Sequence, residues 1–141
     1  AIFAILHTDK ANEIIQERQS IAKIYDDNIK FSTKIRKFEL PKGTSSCYYK
    51  YYIRCSGPKI RKDFKDYALN NGIELPPFTY STLCSKQAIS KKMKCDMSSG
   101  LRNSEYMTNH HFCLPMYNGL KKDEIFHIIE CLNSFIEKTK W

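Results

Sequence analysis

The chain has 141 residues, enough for one domain with a true hydrophobic core and too few for two independent ones. With 42% hydrophobic and 27% charged residues, the composition excludes disordered, collagenous and low-complexity classes. No apolar run reaches the eighteen or so residues that cross a bilayer, and Ala1–Leu6 lacks the flanks of a secretory leader, so the expectation is a cytoplasmic protein without membrane contact. The formal charge of +8 makes anionic partners worth testing, but the Lys and Arg residues are scattered and carry no RNP, zinc-finger or Gly-rich signature. Nucleic acid is therefore not the expected partner.

The first thirty residues carry a helical period, with Ala11, Ile14, Ile15, Ala22, Tyr25 and Ile29 on one face. The apolar Ala1–Leu6 ahead of them has no cap residue and no initiator Met, which predicts that a preceding part of a longer protein is missing. After a polar connection ending at Gly43, residues 47–55 read CYYKYYIRC and predict a strand with Cys47, Tyr49, Tyr51, Ile53 and Cys55 on one face. Ser56-Gly57-Pro58 breaks it. Phe64, Tyr67 and Ala68 then mark a short helix closed by Asn71-Gly72, and Ile73–Phe78 predicts a brief extended piece limited by Pro76 and Pro77. Residues 79–104 show no period and predict a long loop, overlapping a short helix around Asn103–Asn109. His111–Leu114 predicts a strand stopped by Pro115. The last helix, 121–138, carries the apolar stripe Ile125, Ile128, Ile129, Leu132 and Ile136, with Lys121 standing where a Ser or Thr cap is usual. The fold class is α/β: helices on a short, mainly antiparallel sheet made of 47–55, 73–76 and 111–114.

Six cysteines, Cys47, Cys55, Cys84, Cys95, Cys113 and Cys131, lack close pairing, which favours reduced thiols over a disulfide framework. His110, His111 and Cys113 with Cys84 and Cys95 do not have the spacing of a structural zinc site, because a strand sends His111 and Cys113 to one face and His110 to the other. No metal is expected. A Cys–His nucleophile pair cannot be selected among six thiols and His7, His110, His111 and His127, and buried inert cysteine is the commoner state. The Tyr48, Tyr49, Tyr51 and Tyr52 cluster invites a base-stacking reading, but sheet packing explains it more simply. Arg61, Lys62 and Asp63 open a helix whose first turn could bind an anion, although exposed first-turn charges are usually just solvated.

Four stretches in order resemble the C-terminal part of the DegT/StrS sugar aminotransferases, which depend on pyridoxal phosphate. They are the opening helix with Glu13-Ile14-Ile15, Arg18, Ala22 and Tyr25; the strand with the helix start Arg61 and Phe64; the turn Asn71–Glu74; and the ending with Leu114, Pro115, Tyr117, Leu120, Glu124 and Ile125. The resemblance implies the small domain of a parent enzyme that moves an amino group, from glutamate, to a keto group on a nucleotide-linked sugar for polysaccharide or glycan biosynthesis. It implies a homodimeric parent whose large N-terminal domain, with the Schiff-base lysine, is absent from this chain. No catalytic or cofactor-binding residue can then be named, and the chain alone should not transaminate. In the family, a loop after the Gly-Ile-Glu turn approaches the substrate through an aromatic and a Pro-Leu-His motif. Here Leu83 fits, but Thr82 stands for the Pro and Cys84 for the His, which a thiol cannot replace as a proton carrier near neutral pH. Phe78, Tyr80, Cys84 and Lys86 are the substrate-loop candidates: a stacking wall, the substituted position and a cation for a diphosphate. The rival expectation is a stand-alone, non-catalytic binding module of the same fold that holds an anionic partner.

Overall fold

Residues Ile21, Ala22 and Tyr25, spaced three and four apart, bury one face of the first helix, α1 (Ala11–Asn28). The computed structural model describes residues 8–76 and 101–139, so the expected start of this helix at residue 1 lies outside the described residues. α1 ends at Ile29, where the backbone turns extended and the amide donates to the Tyr25 carbonyl.

A three-stranded antiparallel sheet of order β1-β2-β3 follows, formed by β1 (Ile35–Lys37), β2 (Tyr51–Cys55) and β3 (His111–Leu114). Ile35 pairs with Cys55, Lys37 with Ile53, Tyr51 with Leu114 and Ile53 with Phe112. These residues share one face, and all but Lys37 are buried. Two sequence expectations are corrected here. The strand expected over 47–55 starts at Tyr51, because Tyr48 sits at a positive φ of 45° and its amide donates to Ser46 Oγ, a local turn that ends extended backbone. Tyr49 is consequently 70% exposed instead of facing the core. Residues 73–76 are not a strand; Ile73 and Leu75 reach the core from irregular backbone, and Ile35–Lys37 takes the third place in the sheet.

The second helix, α2 (Pro58–Asn70), begins with proline in its first turn, where a missing N–H costs nothing, and buries Phe64 and Ala68. It closes as the sequence indicates: Gly72 takes φ 76°, and the Gly72 and Ile73 amides donate to the Leu69 and Ala68 carbonyls. The third helix, α3 (Arg102–Asn109), claims the last three residues assigned to the 79–104 loop. The fourth, α4 (Lys122–Lys138), buries the whole predicted stripe and adds Cys131 and Phe135. Its missing Ser/Thr cap is compensated from inside, since Glu124 Oε2 accepts the Lys121 amide at 2.8 Å.

The core lies between the buried sheet face and helices α1, α2 and α4. Phe64 meets Phe112 at 4.7 Å and Phe135 at 5.2 Å between ring centroids, tying α2 to the sheet and to α4. Tyr25 meets Tyr51 at 4.9 Å, tying α1 to β2.

A second fastening joins α1 to the turn before α4. Glu17 accepts the Gly119 amide at 2.6 Å and an Asn118 amide hydrogen at 2.7 Å, while Arg18 Nε donates to Asn118 Oδ1 and Tyr25 OH donates to the Pro115 carbonyl. Gly119 adopts φ 84°, a conformation that presents its amide to Glu17 and that L side chains seldom take. The residues Arg18, Tyr25 and Pro115, singled out in the sequence by resemblance, therefore position elements relative to one another. The Gly119 and Asn118 hydrogen bonds hold the Glu17 carboxyl below the usual carboxylate range.

Candidate functional site

The substrate-loop candidates Phe78, Tyr80, Cys84 and Lys86 lie outside the described residues, as do His7 and Cys95. What the described residues build is a cleft of about 360 Å³ where β1 leaves the sheet and β2 enters it, lined by Phe38, Leu40, Tyr48, Tyr49, Lys50 and Tyr52 among others. The turn at Tyr48 makes this cleft possible, because it lifts Cys47 and Tyr49 out of the strand line. Gln19 Nε2 of α1 donates to the Ser46 carbonyl and holds the turn in place.

At the floor of the cleft Asp26 is doubly held. Its carboxylate accepts Tyr51 OH at 2.5 Å on one oxygen and pairs with Lys37 Nζ at 2.5 Å on the other. Burial pushes the Tyr51 hydroxyl above its ordinary range, and the hydrogen bond to the Asp26 carboxylate, with its charge, adds to the shift. Burial does the same to Tyr25, with a smaller contribution from Tyr117. Both phenols stay protonated in the folded state at pH values where an unfolded chain, titrating near pH 10, has begun to ionise. Stability is thus independent of these groups below about pH 10 and falls as pH rises above it. A titration followed by phenolate absorbance and circular dichroism is expected to show alkaline unfolding that becomes shallower in Tyr51→Phe; an equally steep loss in that variant would contradict the assignment.

The described histidines and cysteines do not converge. His110 stacks on Tyr106 at 3.9 Å, His127 Nε2 faces the Asn71 carbonyl at 3.0 Å, and His111 Nδ1–H donates to the Met107 carbonyl. His111 and Cys113 share a sheet face, as the strand pattern requires, while His110 lies before the strand. Among the described residues no group of three or more His, Cys, Asp or Glu gathers as metal ligands do. No disulfide joins Cys47, Cys55, Cys113 and Cys131 to one another, and burial pushes the Cys55 and Cys131 thiols up, away from thiolate nucleophiles.

A Schiff-base lysine works in an enclosed site that keeps its amine neutral and shields the imine. Every described lysine is exposed except Lys50, which is half-buried at the cleft. Asp26, the acid of that cleft, is already engaged by Lys37 and Tyr51 and is not available to a pyridinium nitrogen. The described residues therefore do not fit pyridoxal phosphate. None of the described helices is long and apolar enough to cross a membrane.

Comparison with known proteins places this geometry. The model of the DegT/DnrJ/EryC1/StrS aminotransferase family matches residues 1–133. No curated protein sequence matches the chain. Among solved structures, the chain is similar to the aminotransferase TlmJ from Streptoalloteichus hindustanus, with a TM-score of 0.77 and 21% identity over 94% of this chain and 34% of that one. It is similar to Spr1654 from Streptococcus pneumoniae in its PLP-form, with a TM-score of 0.76 and 20% identity over 95% and 34%. It is also similar to Helicobacter pylori PseC, an aminotransferase involved in the biosynthesis of pseudoaminic acid, with a TM-score of 0.77 and 17% identity over 96% and 36%. At these identities the likeness shows a shared fold, and the chain spans about a third of the length of each.

Proposed function

Because the chain belongs to the DegT/DnrJ/EryC1/StrS aminotransferase family, we propose that it serves as the small domain of a pyridoxal-phosphate-dependent sugar aminotransferase. The observation that carries this reading is the family match over residues 1–133, on a fold whose solved neighbours are about three times as long. In this reading the cofactor and its lysine are held by the large domain of the parent, a cytoplasmic homodimer. When bound, pyridoxal phosphate supplies the electron sink for amino transfer. The substrates are an amino donor, glutamate, and a keto sugar linked to a nucleotide, whose product enters polysaccharide or glycan synthesis.

The described residues contribute a rigid platform. α1 is fastened to the turn before α4 by Glu17 and Asn118, and to β2 by Tyr25. By resemblance to the family's substrate-approaching loop, Phe78, Tyr80, Cys84 and Lys86 supply contacts to the sugar nucleotide, and Cys84 in the place of the family histidine alters the sugar accepted. The test is a half-reaction on the native protein captured from its source cells with an antibody to this chain. Added glutamate should convert the cofactor spectrum from its aldehyde to its amine form, and a nucleotide-linked keto sugar should restore it. A captured protein with no cofactor absorbance and no response to glutamate would overturn the proposal.

A further inference from the structure

Of the large apolar side chains that stand exposed among the described residues, Phe38, Leu40 and Tyr49 all line the cleft at the entry to β2, whereas Leu69, Tyr106 and Tyr117 do not. Exposed apolar side chains scattered singly need no explanation, but a cluster around one concavity marks a binding surface. The cleft volume, about 360 Å³, falls in the range that small-molecule sites occupy.

The cleft wall is also built at a conformational cost. Tyr48 holds a φ of 45°, a region that side chains other than glycine seldom enter. Such strain persists only where neighbours over-determine it, and it gathers at ligand sites. Here Ser46 Oγ accepts the Tyr48 amide at 3.0 Å, the Ser46 carbonyl accepts Gln19 Nε2 at 3.0 Å, and the Tyr51 ring stacks on Tyr48 at 6.2 Å with 24° between planes. The turn thereby fixes the Tyr48 ring and leaves Tyr49 standing outward on the cleft wall.

The charges select the ligand. The lining carries three charged side chains, Asp26, Lys37 and Lys50. Asp26 and Lys37 cancel in their ion pair, and half-buried Lys50 leaves a single positive charge beside apolar walls. A partly desolvated ammonium attracts an anion more strongly than one in bulk water does. A cation is repelled, and a diphosphate brings more negative charge than one ammonium offsets, with the Asp26 carboxylate opposing it. One negative charge on a flat apolar body is the match, because tyrosine and phenylalanine rings favour offset or tilted contact with another ring.

We infer that this cleft binds a planar aromatic monocarboxylate, with the ring against Tyr48, Tyr49 and Phe38 and the carboxylate on Lys50. The inference rests on the lining of the cleft and does not require the transaminase reading. The two fail separately, because binding is read on this chain without cofactor, amino donor or sugar.

The experiment is calorimetric titration of the 141-residue chain with 2-naphthoate, its neutral counterpart 2-naphthalenemethanol, and uridine diphosphate. The carboxylate is expected to bind more tightly than the alcohol by about tenfold, the worth of a hydrogen bond to a charged group. Lys50→Gln should remove that advantage and leave the alcohol unchanged. Tyr49→Ala should weaken both naphthyl ligands by about threefold or more. Because Tyr49 is 70% exposed, this variant should keep its melting temperature, so its loss of binding reads the site and not the fold. No binding of 2-naphthoate at millimolar concentration would overturn the inference, as would equal affinity for acid and alcohol. Unchanged binding in both variants would also overturn it, as would uridine diphosphate bound more tightly than 2-naphthoate.

Discussion

Truncating Phe64 to alanine is expected to lower the unfolding free energy by about 3–5 kcal/mol. The ring is 1% exposed and sits between Phe112 of β3 and Phe135 of α4, so no single neighbour can move in to fill its space without losing its own contacts. The loss combines the transfer energy of a buried ring with the cavity left behind, and two aromatic pairs go with it. Urea unfolding should show a lower midpoint with an unchanged slope, the sign of lost stability without a change in the exposed surface. A loss below about 1 kcal/mol, the level typical of a substitution outside the core, would mean that α2 is not held through this ring.

The second large effect is at Tyr25. The side chain is fully buried, packs on Tyr51 and donates its hydroxyl to the Pro115 carbonyl at 2.9 Å, so it links α1 to both β2 and the segment after β3. Tyr25→Ala removes packing and hydrogen bond together, an expected cost of about 3–5 kcal/mol. Tyr25→Phe keeps the ring and leaves the carbonyl without its donor, at about 1 kcal/mol. The difference between the two variants separates packing from polar fastening. Near-equal losses would place the whole effect on the hydroxyl and contradict the packing account.

Legibility in the sequence followed the physics of each element. α4 could be read because five aliphatic residues repeat at helical spacing over seventeen residues, and α2 because proline opens it and Asn71-Gly72 closes it. β1 could not, because Ile-Arg-Lys offers one apolar residue and no alternation; it is a strand only because β2 lies beside it. Residues 73–76 erred in the opposite direction. Ile73 and Leu75 alternate as a strand would, yet the segment supplies core contacts without joining the ladder. The turn at Tyr48 was hidden because a tyrosine at positive φ carries no sequence signal of the kind glycine or asparagine gives.

The cleft was illegible for a related reason. Asp26 meets Lys37 and Tyr51 from positions 11 and 25 residues away, and which tyrosines face inward depends on where the strand begins. The tyrosine cluster itself was legible as sheet packing for Tyr51, whereas Tyr49 and part of Tyr48 belong to the cleft wall. Family resemblance identified residues that fasten elements together, such as Arg18, Tyr25 and Pro115, but resemblance alone does not distinguish a fastening residue from a substrate contact.

If this chain serves, as proposed, as the small domain of a transaminase, the cofactor lysine lies in the other part of that protein. The direct measurement is borohydride reduction of the native protein captured from its source cells, followed by peptide mapping of pyridoxyl-lysine. One modified lysine is expected, on a peptide not found within these 141 residues. A pyridoxyl group on a lysine of this chain, or none on any lysine, would contradict that role.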